Sequence, residues 1–157
     1  MRLQADDTSV VAFKDLAFSA YATPVEQWQG TQFAATGGLS DPLAALSQDP
    51  DHDGLSNLME YALGIDPEVA GTTNGKIITD VEPVSAEKYL RMTVVKNPAA
   101  TDVVYIVEAT STLGDPLSWR GSGLVVETDD ASTLRVRDIV PMSTGTQRFM
   151  RLRVTKP

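Results

Sequence analysis

The sequence predicts an α+β fold, in which a short helical segment over residues 1–70 packs on an antiparallel β-sandwich over residues 71–157. The two halves are expected to form one compact unit. Three observations predict this. Capped, proline-initiated helix starts crowd the front half. Runs of alternating apolar and polar residues fill the back half. Turn residues recur at short intervals between those runs, as they do in sheets of short antiparallel strands.

The helical elements come first. In TPVEQWQGTQF, Thr23 precedes Pro24, and Glu26 stands three residues after Thr23. Together they make a capping box with proline at the first helical position, which predicts a helix through Trp28 and on to Phe33. Gly37 and Gly38 end that region. SDPLAALSQ repeats the logic, with Ser40 or Asp41 as cap, Pro42 in the first turn and Leu43 to Leu46 as a brief helix. Leu55, Leu58, Met59, Ala62 and Leu63 then recur at helical spacing, Gly64 supplies the C-cap and Pro67 bars continuation.

After EVAGTTNGK the period changes. GKIITDVEP reads as an edge strand, because Pro83 cannot donate to a ladder. KYLRMTVVK puts Leu90, Met92 and Val94 on one face, whereas DVVYIVEAT is apolar on both faces and reads as a central strand. GLVVET, TLRVRDIV and RFMRLRVTK follow. In the last two, Leu134 and Val136 alternate with Arg135 and Arg137, and Met150, Leu152 and Val154 with Arg151 and Arg153. No helical pattern lies between these runs, so a parallel sheet is not expected.

Charge is unevenly spread along the 157 residues, whose net charge is −8. Residues 1–70 hold eleven acids against Arg2 and Lys14, a net of −9, while residues 71–157 hold ten acids against eleven bases, a net of +1. Such a balance argues against nucleic acid as a partner, since phosphate neutralisation needs clustered Lys and Arg. The chain has no cysteine and one histidine, His52, which excludes thiolate-based metal sites and disulfides. No run reaches the ~18 apolar residues of a membrane helix, so membrane insertion is not expected. The first residues, MRLQADDTSV, lack the layout of a signal peptide. If the protein is exported, its signal is expected to have been removed or to lie on a larger precursor.

Five of the eleven front-half acids lie in DPDHDGLSNLMEYALGIDP, residues 49–67. Counted from Asp49, positions 1, 3, 5, 7, 9 and 12 are Asp49, Asp51, Asp53, Leu55, Asn57 and Glu60, with Gly54 at position 6. An EF-hand calcium loop wants oxygen donors at those positions, a backbone carbonyl at position 7 and a bidentate glutamate at 12, with glycine at 6 for the sharp turn. Alternate residues of a tight loop point inward, so three carboxylates converge from one side. Carboxylates that merely complement a helix N-terminus contribute only about 0.3–1 kcal/mol each. That explains one or two acids, not three at strict alternation followed by Gly, Asn and Glu at these offsets. His52 falls between ligand positions and should face solvent. Position 8 is Ser56 and no second DxDxDG occurs, so paired, cooperative sensing is not expected. The expected Ca2+ is a structural ion bound with a Kd of about 10⁻⁴–10⁻³ M or somewhat tighter.

This stretch resembles the DxDxDGxxNxxEYxxGxDP segment of exported multidomain bacterial proteins, related to dockerin-type and thrombospondin type 3 calcium repeats. VEQWQGTQF ahead of it, and VVYIVEATSTLGDPLSW and RFMRLRV behind, look like a C-terminal module appended to secreted or surface proteins. The resemblance covers most of residues 24–157. It implies Asp49, Asp51, Asp53, Leu55, Asn57 and Glu60 as ligands, an extracellular or cell-surface location, and a parent multidomain protein or cell-surface component as partner. The tandem repetition of both repeat types is missing.

Other constellations carry less. Asp66 reads as a turn residue after the helix. Trp28, Trp119, Tyr89 and Tyr105 could stack on a glycan, but aromatics are only 6% of the chain and are expected mostly in the core. Arginines 135, 137, 148, 151 and 153 could bind an anionic glycan, though such a row more often forms a solvated sheet face paired with acids such as Glu108 and Asp138. No GxSxG, phosphate-binding glycine loop or HExxH is present, and the single histidine lies inside the acidic loop. No enzymatic activity is expected. The function expected is that of a non-catalytic, calcium-binding accessory module, with a carbohydrate-binding module or a surface assembly domain as alternatives.

Overall fold

A computed structural model describes residues 22–71, 73, 75–145 and 147–157. The front of the predicted helical segment, residues 1–21, lies outside the described residues. Among the described residues the fold is mixed α+β, with two helices, short 3₁₀ turns and six strands in two antiparallel sheets.

Helix α1 spans Pro24–Gln32, and Thr23 caps it as predicted. The Thr23 side chain accepts from the Glu26 N–H while Glu26 Oε2 accepts from the Thr23 N–H at 2.8 Å, closing the capping box. Residues 42–46 do not make the expected α-helix. Asp41 caps a single 3₁₀ turn, Pro42–Ala44, by accepting from the Leu43 N–H, and Ala45 then turns extended at ψ 140°. Beyond the turn, the carbonyls of Leu46 and Gln48 accept from the N–H groups of Leu58 and Asn57 at 3.0 and 2.8 Å. Helix α2, Asn57–Leu63, begins there and ends at Gly64 in the left-handed conformation, φ 67°. Leu55, expected within this helix, stays in the loop ahead of it.

Strands β1 (Ile77–Val84), β2 (Glu87–Val95), β4 (Leu124–Asp129) and β5 (Thr133–Pro141) form one sheet in the order β1-β2-β5-β4. Pro83 sits on the edge strand β1 as predicted. Strands β3 (Val104–Thr110) and β6 (Phe149–Thr155) form a second, two-stranded sheet. β3 therefore is not the central strand its composition suggested. Among the described residues, its second edge meets only the backbone of Arg120, through one bridge at Ala109. Its burial on both faces arises instead because Glu108, on the polar face, is covered by Arg151 and Arg153.

One apolar cluster joins both sheets to α2: Met92, Val94, Leu134 and Val136 from the larger sheet, Val107 from the smaller, and Leu63 from the helix. A second cluster, Val25, Tyr61 and Ala100 flanked by Trp28, Leu46 and Val103, seats α1 on α2. Tyr61 is its pivot, with its ring 5.3 Å from Trp28 and its hydroxyl donating to Asp102 Oδ1 at 2.7 Å. Asp102 Oδ2 in turn accepts from the Val25 N–H at the start of α1. The last carbonyls of α2, which have no partner within the helix, are taken up by the β layer. Asn97 Nδ2 donates to Tyr61 O, and the Asn97 N–H and Tyr105 hydroxyl both donate to Ala62 O.

Candidate metal centre

The loop from Asp49 to Ser56 is closed by the two backbone bonds that pin Asn57 and Leu58 to Gln48 and Leu46. His52 and Gly54 take positive φ, 61° and 92°, which reverses the chain within it. Each aspartate uses one oxygen to hold the loop backbone. Asp49 Oδ2 accepts from the Gly54 N–H at 3.0 Å, Asp51 Oδ1 from Asp53 at 3.2 Å, and Asp53 Oδ1 from Leu55 at 2.8 Å. Asp53 Oδ2 also accepts from the Gly71 N–H at 3.3 Å, tying the segment that leads to β1 onto the loop.

Asp49 and Asp51 each keep one oxygen clear of these bonds. One carboxylate oxygen from each of Asp49, Asp51 and Asp53 lies within 4.8 Å of the others, a grouping that can hold a metal ion. Asp49 Oδ1 and Asp51 Oδ2 are buried without any hydrogen-bond partner.

Helix α2 supplies two further side chains, both fully buried. Asn57 Nδ2 donates to Leu43 O at 2.7 Å and to Ala45 O at 2.8 Å, spending both amide hydrogens. That fixes the amide orientation and leaves Asn57 Oδ1 buried and unpartnered. Both carboxylate oxygens of Glu60 are likewise buried and unpartnered. Buried polar atoms in folded proteins nearly always find a partner, and an unaccompanied acceptor costs about 1–3 kcal/mol. Here five acceptor oxygens, and not one donor, are left over within twelve residues. The chemistry of that donor set is oxygen-only and anionic, which fits a hard cation.

Electrostatics agree with the geometry. Burial first, then the charges of Asp51, Asp53, Asp49 and Asp66, push the Glu60 carboxyl up to about 7. Without a cation, four like-charged groups crowd a side chain that water does not reach.

Among the predicted site residues, Asp49, Asp51 and Asp53 are brought together, and Asn57 and Glu60 follow with bare oxygens. Leu55 is placed in the same loop by its N–H bond to Asp53. His52 is exposed, as expected. Asp66 is a turn residue, exposed, with Oδ1 accepting from the Glu68 N–H at 3.0 Å. The residues the sequence reading missed are those that clasp α2 to the sheets: Tyr61, Asn97, Asp102 and Tyr105. Tyr61 lies three residues after Leu58, a spacing that could have placed it on the buried face, but its bond to Asp102 spans 41 residues and left no local sign.

The other constellations resolve differently. Asp138 is fully buried and accepts from Arg148 Nε and Nη2 at 2.6 and 3.0 Å. Burial opposes ionisation of Glu108, but Arg153 and Arg151 hold its carboxyl below the usual carboxylate range. Arg137 pairs with Glu127 at 3.0 Å and Arg135 donates to Thr93 Oγ1. The arginines thus form no single row: Arg135 and Arg137 lie on β5 of the larger sheet, Arg151 and Arg153 on β6 of the smaller, and each is bonded within the chain. Trp28 is half-buried and packs against Phe33 and Tyr61. Tyr89, Tyr105 and Trp119 each carry a cation over the ring: Arg137, Lys96 and Arg151, at 4.7, 5.3 and 4.4 Å.

No family model, no curated protein and no solved structure matches this chain.

Proposed function

We propose that the chain is a non-catalytic, calcium-stabilised accessory module of an exported or cell-surface protein. The single observation that carries this is the set of five buried, partnerless oxygens of Asp49, Asp51, Asn57 and Glu60 beside the triad with Asp53. Adding the Leu55 carbonyl and an oxygen of Asp53 gives seven donors, with Glu60 bidentate. Ca2+ takes six to eight oxygens at variable angles, whereas Mg2+ demands a smaller, near-regular octahedron and keeps several waters. The ion sits where α2, the 3₁₀ turn and the Gly71 segment meet, so it ties the helical part to the chain entering β1. The two sheets share one apolar cluster, which supports reading them as a small sandwich.

A lone loop of modest affinity suits a calcium-rich medium outside the cell, where the ion holds the fold rather than reports its concentration. The parent multidomain protein, or a neighbouring surface component, is the partner this role implies. A glycan platform gains no comparable support, because three of the four candidate rings are already covered by a cation.

Thermal melts in calcium, magnesium and chelator test the reading. At a free concentration of 100 Kd the ion adds about 2.7 kcal/mol to the native state, which raises Tm by roughly 5–11 °C in a domain of this size. Magnesium is expected to give a smaller shift. A melting point that is the same in calcium and in chelator overturns the proposal.

A further inference from the structure

Away from the acidic loop, a polar hollow of about 270 Å3 opens between the 111–123 loop and β5, bordered by Thr110, Ser111, Ser118, Arg120, Ser122 and Arg148. Among the described residues, no carboxylate lines it. Its walls are fixed by a local hydrogen-bond chain. The hydroxyls of buried Thr110 and Ser118 are 2.6 Å apart, and Ser118 Oγ donates to Asp115 O at 2.7 Å. Both guanidinium groups are also held from behind. Arg120 Nη1 donates to the carbonyls of Leu117 and Trp119, and Arg148 is clamped through Nε and Nη2 by buried Asp138. This leaves Nε and Nη2 of Arg120, Nη1 of Arg148 and the hydroxyls of Ser111 and Ser122 without a protein partner among the described residues. Asp138 neutralises Arg148, so the lining keeps a net charge of +1.

We infer that this hollow binds a single monovalent oxyanion, the carboxylate or sulfate ester of a small molecule or sugar unit. The charge matches one such group, and the two guanidinium groups are held by protein bonds before binding, which lowers the ordering cost. Charge-assisted hydrogen bonds from a guanidinium to an oxyanion are the strong ones. The volume lies at the small end of ligand sites and suits one acidic unit, not a chain. The residues are distinct from those of the acidic loop, so either inference can fail alone.

Amide NMR titrations with sodium acetate, glucuronate and glucose 6-sulfate test it, with sodium chloride at matched ionic strength as control. Saturable shifts at Thr110 and Ser118–Gly123 are expected, and the probe that binds tightest identifies whether a bare carboxylate, a uronic sugar or a sulfated sugar is preferred. Arg120→Gln keeps the backbone bridge to Ala109 and is expected to weaken binding about tenfold. Ser122→Ala, on an exposed side chain, serves as a second variant and is expected to weaken it by a smaller factor. Shifts no larger than those with chloride, or binding that both variants leave unchanged, overturn the inference.

Discussion

Glu60→Gln separates the two halves of the metal-centre account, because it removes a charge and one oxygen ligand at once. In the ion-free protein the Glu60 carboxyl sits near 7 in the fold and near 4.5 when unfolded. The native state therefore holds its proton over a window in which the unfolded state has lost it. Stability contributed by that proton is full below about 4.5 and is lost as pH rises through about 7. Above that, the cost of ionising Glu60 in place is about 3 kcal/mol, at 1.36 kcal/mol for each unit of pKa. In chelator at pH 8, Glu60→Gln should relieve most of this cost and raise Tm by several degrees, roughly 2–4 °C per kcal/mol. The new amide can also donate to the bare oxygens of Asp49 and Asp51. In chelator at pH 4.5, wild type and variant should melt close together. With saturating calcium the order reverses, because the variant lacks the bidentate ligand and wild type gains the binding energy. Calorimetry at both pH values, with calcium and with chelator, reads all four cases. A variant that is less stable than wild type to the same extent in calcium and in chelator refutes the reasoning.

Two further outcomes follow from the packing. Tyr61→Phe deletes the donor to Asp102 Oδ1 and should cost about 1.5–3 kcal/mol, by the same amount with and without calcium in chemical denaturation, since Tyr61 touches the clasp and not the loop. Arg148→Met leaves Asp138 buried and unpaired, and should cost about 3–5 kcal/mol at neutral pH, measured by the same method, with part recovered when Asp138 is changed to Asn as well.

What the sequence made legible were the features set by short spacing. The Thr23–Pro24–Glu26 box, the Gly64 cap, the Pro83 edge and the alternation of acids in the loop each lie within a few residues, and the structure has each in place. Longer-range features were not legible. The strand order β1-β2-β5-β4 and the two-stranded second sheet depend on which edges meet. β3 looked central because a run of apolar residues signals burial without saying what covers it, and arginine stems did part of the covering. The helix expected over residues 43–46 is a single 3₁₀ turn, and the Leu43 and Ala45 carbonyls around it accept from Asn57, a contact more than ten residues away in the chain. Asn57 was legible as a ligand position, but not as the donor that spends both its amide hydrogens on Leu43 and Ala45.

The most direct measurement is electron density at the loop in crystals grown with abundant calcium. The account predicts one strong peak with an anomalous signal, ringed by Asp49, Asp51, Asp53, the Leu55 carbonyl, Asn57 and both oxygens of Glu60, at about 2.3–2.6 Å. Empty density there, or a peak coordinated by the three aspartates alone with Glu60 still bare, contradicts it.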